Sequence, residues 1–196
     1  MVNIKDILEA EARAIRSIPA DNPFGDSVQC FLASARAGGK VVVSGVGKAG
    51  GIGAKIATTL CSVGVPSIFL HPLEAQHGDL GVLGVHDCLL LISNSGKTRE
   101  VVELVHLARR LHPEVRIVTI TGKRGSELAA CSDLVLWTGD PAEVCPLGLA
   151  PTTSTTVISV IGDVLTVLAV QLGGFTRNDY ALRHHGGYLG AVAKLR

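Results

Sequence analysis

The chain has 196 residues, 47% hydrophobic and only 4% aromatic, with 18 basic and 17 acidic residues and a net charge of +1. That length accommodates one ordinary domain rather than two. Near-neutral charge without a basic run excludes a nucleic-acid-binding arm. An apolar content made mostly of Val, Leu, Ile and Ala suits buried parallel strands flanked by helices.

The first residues are amphipathic and charged, with no apolar core of the kind a secretory leader carries. Ile4, Ile7, Leu8, Ala12 and Ile15 recur at helical spacing and predict a helix over 3–18. A second helix, about 26–37, follows the Asp21-Asn22-Pro23 break. Short apolar runs at 41–43, 67–70, 88–92, 117–120 and 134–137 then alternate with helical segments near 50–62, 98–112 and 125–131. This alternation predicts an α/β fold: a three-layer α-β-α sandwich around a five-stranded parallel sheet, in the flavodoxin-like order 2-1-3-4-5. A long helix over 153–172 is opened by Thr152-Thr153-Ser154 and closed by Gly173-Gly174. Its apolar stretch, 157–172, falls short of the roughly 20 residues that span a bilayer and contains Asp163, so we expect a buried helix and no membrane span. It is too apolar to face solvent, which predicts packing in a subunit interface, as in a homotetramer. No repeat or linker divides the chain. Residues 1–196 read as one domain: N-terminal helices to 38, an α/β core over 39–172, and a C-terminal segment, 173–196.

Cys30, Cys61, Cys88, Cys131 and Cys145 are odd in number, widely spaced and without a CxxC pair. A disulfide framework or zinc site is not expected, and a reducing cytoplasm fits this usage. Four of the five sit in or beside apolar runs and read as small core residues.

Ligands on open parallel sheets bind at the carboxyl ends of the strands. Two strand ends here run into unusual loops. The first, Ser44-Gly45-Val46-Gly47-Lys48-Ala49-Gly50, matches GxGxxG at Gly45, Gly47 and Gly50. Its glycines would let backbone approach a phosphate at a helix start. A dinucleotide would need an acidic residue near the end of the second strand, where Phe69-Leu70-His71-Pro72 stands. Phosphate or phosphosugar binding is therefore preferred over a nicotinamide cofactor and over a merely tight turn. Lys48 would point at the bound anion and stabilise a developing enediolate; the alternative is a solvated lysine. The second loop, Ser93-Asn94-Ser95-Gly96-Lys97-Thr98-Arg99-Glu100, places three hydroxyls within six positions. Thr98 can cap the following helix, but a cap needs one hydroxyl, so a phosphate cradle is the better reading.

The segments SNSGKT (93–98), GVGKAG (45–50), EAQHGDLG (74–81), EVCPLGLAPTTSTT (143–156) and GFTRNDYALRHHGGYLG (174–190) resemble the SIS (sugar isomerase) domain family, and within it the arabinose 5-phosphate isomerases. The resemblance implies aldose-ketose isomerisation of a phosphosugar, D-ribulose 5-phosphate to D-arabinose 5-phosphate, through a cis-enediol. It implies no cofactor, a homotetramer with active sites at subunit interfaces, and a place in 3-deoxy-D-manno-octulosonate (lipopolysaccharide) synthesis. It assigns Lys48, His77, Glu100 and His184 to catalysis, and Ser44, Gly45, Gly47, Ser93, Asn94, Ser95, Gly96 and Thr98 to the phosphate. Glu100 is the preferred proton-shuttling base, against a plain role as favourable charge at a helix start. His77 would touch a hydroxyl or carbonyl. His184 would serve as acid near C1 or the ring oxygen, or as the alternative base, and in related proteins such a histidine reaches a neighbouring subunit's site. Ala49 stands where the family often has Ser, Lys97 and Arg99 replace an acidic-serine pattern, and His185 replaces a proline. Many members add a C-terminal pair of CBS domains, which is not expected here. The alternatives are another SIS isomerase, acting on a hexulose or heptose phosphate, and a non-catalytic phosphosugar sensor.

Overall fold

The structure is a computed structural model and describes residues 3–194. Helices α1 (Ile4–Arg16) and α2 (Phe24–Arg36) open the chain where the apolar spacing predicts them. Asn22, in the turn between them, donates to Trp137 O and accepts from Trp137 N, each at 2.9 Å. Those two bonds tie the helical pair to the far edge of the sheet.

The sheet consists of β1 (Val41–Gly45), β2 (Ser67–Phe69), β3 (Cys88–Ile92), β4 (Arg116–Thr121) and β5 (Leu134–Trp137), in the spatial order β2-β1-β3-β4-β5. Every pairing is parallel. Because side chains alternate across a strand, Val41, Val43, Leu90, Ile92, Val118 and Ile120 face one layer, formed by α1, α2, α3 (Gly47–Ser62) and α7 (Thr153–Gly173). Val42, Leu89, Leu91 and Ile117 face the other, formed by α4 (Pro72–Ala75), α5 (Arg99–Leu111) and α6 (Glu127–Ala130). Burial on both faces explains why the central strands read as unbroken apolar runs.

Helices α3 and α7 run parallel and very close. A β-carbon at Gly162 would lie 2.4 Å from Ile56 Cγ1, and Lys55 pairs with Asp163 at the same level. The pairing gives the one charged residue of α7 a partner. At 21 residues α7 matches the helix expected over 153–172 and is, by length and composition, apolar enough to cross a bilayer. Val157, Ile158, Ile161, Leu165 and Ala169 are nonetheless buried in the first layer, so α7 is a core helix.

Beyond α7, where the sequence predicts only an undivided segment, the chain forms two short helices, α8 (Arg177–Arg183) and α9 (Gly187–Lys194). Thr176 and Asp179 make a reciprocal capping box at the start of α8. All five cysteines are free. Only Cys88 is fully buried, and burial pushes its thiol far above the usual range. Cys61 is exposed on α3, so its reading as a core residue is corrected.

Candidate active site

Gly45 sits opposite Ile92 on the neighbouring strand, so the glycine loop and the hydroxyl loop leave the carboxyl edge side by side. Gly45 and Gly50 close the first turn: a β-carbon at Gly50 would lie 2.6 Å from Gly45 O. Gly47 has a left-handed φ of +61° with open space beside it. Neither α3 nor α5 has a side-chain cap, so two helix N-termini present unpaired N–H groups and positive dipole ends on one edge.

Thr98 occupies the N-cap position of α5, but its hydroxyl turns to Ser93 Oγ at 2.8 Å. The alternative of a plain cap is not what Thr98 does: the pair braces the loop and leaves the helix start open. Ser93 Oγ also accepts from Gly96 N at 3.1 Å. Ser93 is buried and Ser44 is completely buried, its hydroxyl without a partner. Both were expected to touch phosphate. Both sit at the strand ends beneath the loops, Ser93 bonded within its loop. Ser95 is exposed, and Asn94 and Thr98 are half-buried, with the Asn94 Oδ1 itself buried and without a partner among the described residues. Gly96 has φ +62°, and a β-carbon there would lie 2.0 Å from Ser126 Oγ.

Lys48 is the second residue of α3, exposed, with no ion-pair partner among the described residues. A cation at a helix N-terminus opposes the dipole, at a cost of roughly 0.3–1 kcal/mol. Stability does not explain it, whereas attraction of an anion does. Glu100 is the second residue of α5, half-buried at the same edge. His77 lies exposed just past α4, beyond the end of β2, which neighbours β1.

His184 is elsewhere. It shares a cavity of about 480 Å³ with Thr58, Cys61, Ser62, Ser67 and Arg183, at the far end of α3. Its ring stacks on Tyr180 at 3.7 Å, and Phe175 packs against Gly64 in the turn leading to β2. At 1.5 Å per residue along α3, about 20 Å separates this cavity from Lys48. The chain by itself therefore places Lys48, His77, Glu100 and the glycine and hydroxyl loops along one edge of the sheet, and leaves His184 at the opposite edge.

Glu143 was missed by the sequence reading. Parallel packing of α3 and α7, aligned at Ile56 and Gly162, puts the start of α7 at the carboxyl edge beside the start of α3. Glu143 caps that start from ten residues upstream. It accepts from Thr152 N at 2.7 Å, Thr152 Oγ1 at 2.8 Å, Ser154 N at 3.3 Å and the Ser154 hydroxyl. Partial burial works against its ionisation, but these bonds outweigh it and hold the carboxyl below its usual range. A lowered pKa contributes stability that is present above the ordinary carboxylate range and is lost as pH falls through the folded-state value. In urea unfolding, wild type should lose more stability than Glu143→Gln between about pH 6 and about pH 3. Equal losses would show that the cap carries no ionisation-linked stability.

Residues 35–168 match the model of the SIS domain family. The chain belongs to the SIS domain family. Arabinose 5-phosphate isomerase KdsD of Escherichia coli K12 is 49% identical over 158 residues, which are 81% of this SIS chain and 48% of that protein. The SIS chain thus spans about half the length of the curated relatives it matches. A Bacteroides fragilis structure, provisionally assigned as a phosphosugar isomerase involved in capsule formation, is 54% identical with a TM-score of 0.92. The match covers 94% of the SIS chain and 97% of the other. An E. coli CFT073 protein solved in complex with arabinose 5-phosphate is 36% identical with a TM-score of 0.84, over 92% and 95% of the two chains.

Proposed function

We propose that the SIS chain is an aldose-ketose isomerase that interconverts D-ribulose 5-phosphate and D-arabinose 5-phosphate. The observation that carries this reading is that Lys48, without an ion-pair partner among the described residues, and Glu100 stand in the first turns of two uncapped helices that start at one sheet edge, with Ser95 exposed on the hydroxyl loop. The phosphate sits on the open N–H groups of α3 and α5, with Ser95, Asn94 and Thr98. Glu100 moves the proton between C1 and C2. Lys48 stabilises the enediolate oxygen, where charge develops. His77 contacts a hydroxyl or the carbonyl, and Glu143 is a second, anchored carboxylate at that edge. The relatives named as arabinose 5-phosphate isomerases and the neighbour holding arabinose 5-phosphate support the choice of sugar. In this reading the enzyme works in the cytoplasm and supplies 3-deoxy-D-manno-octulosonate synthesis. Incubation with D-ribulose 5-phosphate, followed by carbon NMR, tests the substrate. D-arabinose 5-phosphate should appear, and a hexulose 6-phosphate should turn over at least tenfold more slowly. The reverse preference would reject the pentose reading.

The same reading places each site between subunits of a homotetramer. A folded monomer of this mass exposes about 8,800 Å², whereas this chain exposes 10122 Å². Val167 and Leu172 on the outer side of α7, and Leu147 and Leu149 before it, lie open to solvent. If His184 completes a neighbour's site, Lys48→Ala and His184→Ala are each inactive but complement one another. Refolding an equal mixture should restore about a quarter of wild-type activity, because one site in four then has both residues. No recovery would confine each site to one chain.

A further inference from the structure

A second cavity, of about 550 Å³, opens on the β4–β5 side of the hydroxyl loop, away from the glycine loop after β1. Its walls carry Lys97, Lys123 and Arg124 against a single carboxylate, Asp140. Asp140 already pairs with Lys123 at 2.5 Å. It is the one non-glycine residue with positive φ among the described residues (+54°), so the backbone holds that pair in a sparsely populated conformation. Lys97 and Arg124 have no ion-pair partner among the described residues. Arg124 lies 4.2 Å above the Trp137 ring, and the indole donates to Gly122 O at 2.9 Å. Cation–π attraction holds a guanidinium over a ring face without using its N–H donors, which stay available to a planar or tetrahedral oxyanion.

Asp140 offsets Lys123, which leaves Lys97 and Arg124 as uncompensated like charges in one concavity, a repulsion that a bound anion relieves. The cavity falls within the size range of small-ligand sites. It shares Ser95 with the hydroxyl loop, and Lys97 stands in that loop, so the cavity adjoins the proposed phosphate cradle at Ser95.

We propose that Lys97, Lys123 and Arg124 form a second anion site for a phosphate ester or pyrophosphate group, adjoining the phosphosugar cradle and separate from it. The site does not depend on the isomerase reading. Because its occupant and the sugar phosphate carry like charge on either side of one loop, each should weaken the other, and by the same factor.

Trp137 is the only tryptophan in the chain, so its fluorescence reports this cavity alone. Titrating the full chain with inorganic pyrophosphate should give a saturable change in emission. Lys123→Gln combined with Arg124→Gln should shift the midpoint at least tenfold, and Lys97→Gln about threefold. Removing Arg124 also alters the indole's surroundings, so equilibrium dialysis with labelled pyrophosphate should reproduce the shift on variants with wild-type circular dichroism. No saturable binding, or an unchanged midpoint in the double variant, overturns the proposal. Full competitive displacement of pyrophosphate by arabinose 5-phosphate overturns it as well, because it would put both in one cradle. Failure of the isomerase reading would show separately, as no turnover of D-ribulose 5-phosphate with pyrophosphate binding intact.

Discussion

Replacing Gly96 with alanine is expected to lower the free energy of unfolding by about 2–5 kcal/mol and to abolish tight phosphosugar binding. Two costs combine. The left-handed backbone at φ +62° is strained for any residue with a β-carbon, and that carbon would fall 2.0 Å from Ser126 Oγ and 2.3 Å from Ser126 Cβ. Neither atom can retreat easily, because Ser126 is buried and caps α6 by accepting from Ala129 N. The loop must move instead. It is held by Gly96 N to Ser93 and by Leu128 N to Gly96 O at 3.1 Å, so its displacement also disturbs α6. Gly25→Ala is the control. That glycine lies in a helix with nothing within 4 Å of the added carbon, and alanine there should be neutral or stabilising by up to about 1 kcal/mol. Urea unfolding of the two variants measures the difference, and a loss under about 1 kcal/mol for Gly96→Ala would show that the loop is softer than described.

The second large effect is on turnover. Glu100→Gln should reduce kcat by about 10²–10⁴ while leaving KM within a few-fold, because the amide keeps the shape but cannot carry the proton. Glu100 makes no ion pair among the described residues, so its replacement should not unfold the chain. Lys48→Ala should cost about 10²–10³ in kcat, in the range seen when an oxyanion-stabilising donor is removed. It should also raise thermal stability slightly, since the lysine opposes the α3 dipole. A variant that loses activity and gains stability is hard to explain by any structural role for Lys48. Steady-state kinetics with calorimetry on the same samples decides it. If Lys48→Ala lowers stability instead, the lysine holds the fold rather than the transition state.

The sheet was legible because each strand is buried on both faces and therefore continuous in sequence, with helical periodicity between. Helix α5 begins at Arg99 and α7 at Thr153, each within one residue of the sequence reading. What could not be read was direction at the strand ends. Ser44 and Ser95 look alike as loop hydroxyls, yet one is sealed beneath the sheet edge and the other open, a difference set by where each strand stops. Glu143 escaped notice because it caps a helix from ten residues away, across a Pro- and Gly-containing loop that no local spacing rule covers. The one available signal was a carboxylate preceding a run of hydroxyls at a helix start. His184 could be matched by resemblance, but only packing of α8 against the Gly64 turn shows that it faces away from its own chain's loops. Lys97 comes from the loop after β3 and the Lys123-Arg124 pair from the loop after β4, and the two meet only in three dimensions.

The most direct test of the central claim is to incubate the chain with D-arabinose 5-phosphate in deuterium oxide and locate the label by proton and carbon NMR. Proton transfer through an enediol predicts deuterium at C2 of the recovered D-arabinose 5-phosphate and at C1 of D-ribulose 5-phosphate, with both signals lost in Glu100→Gln. Binding of the sugar with no deuterium incorporation, or incorporation undiminished in Glu100→Gln, would contradict the account.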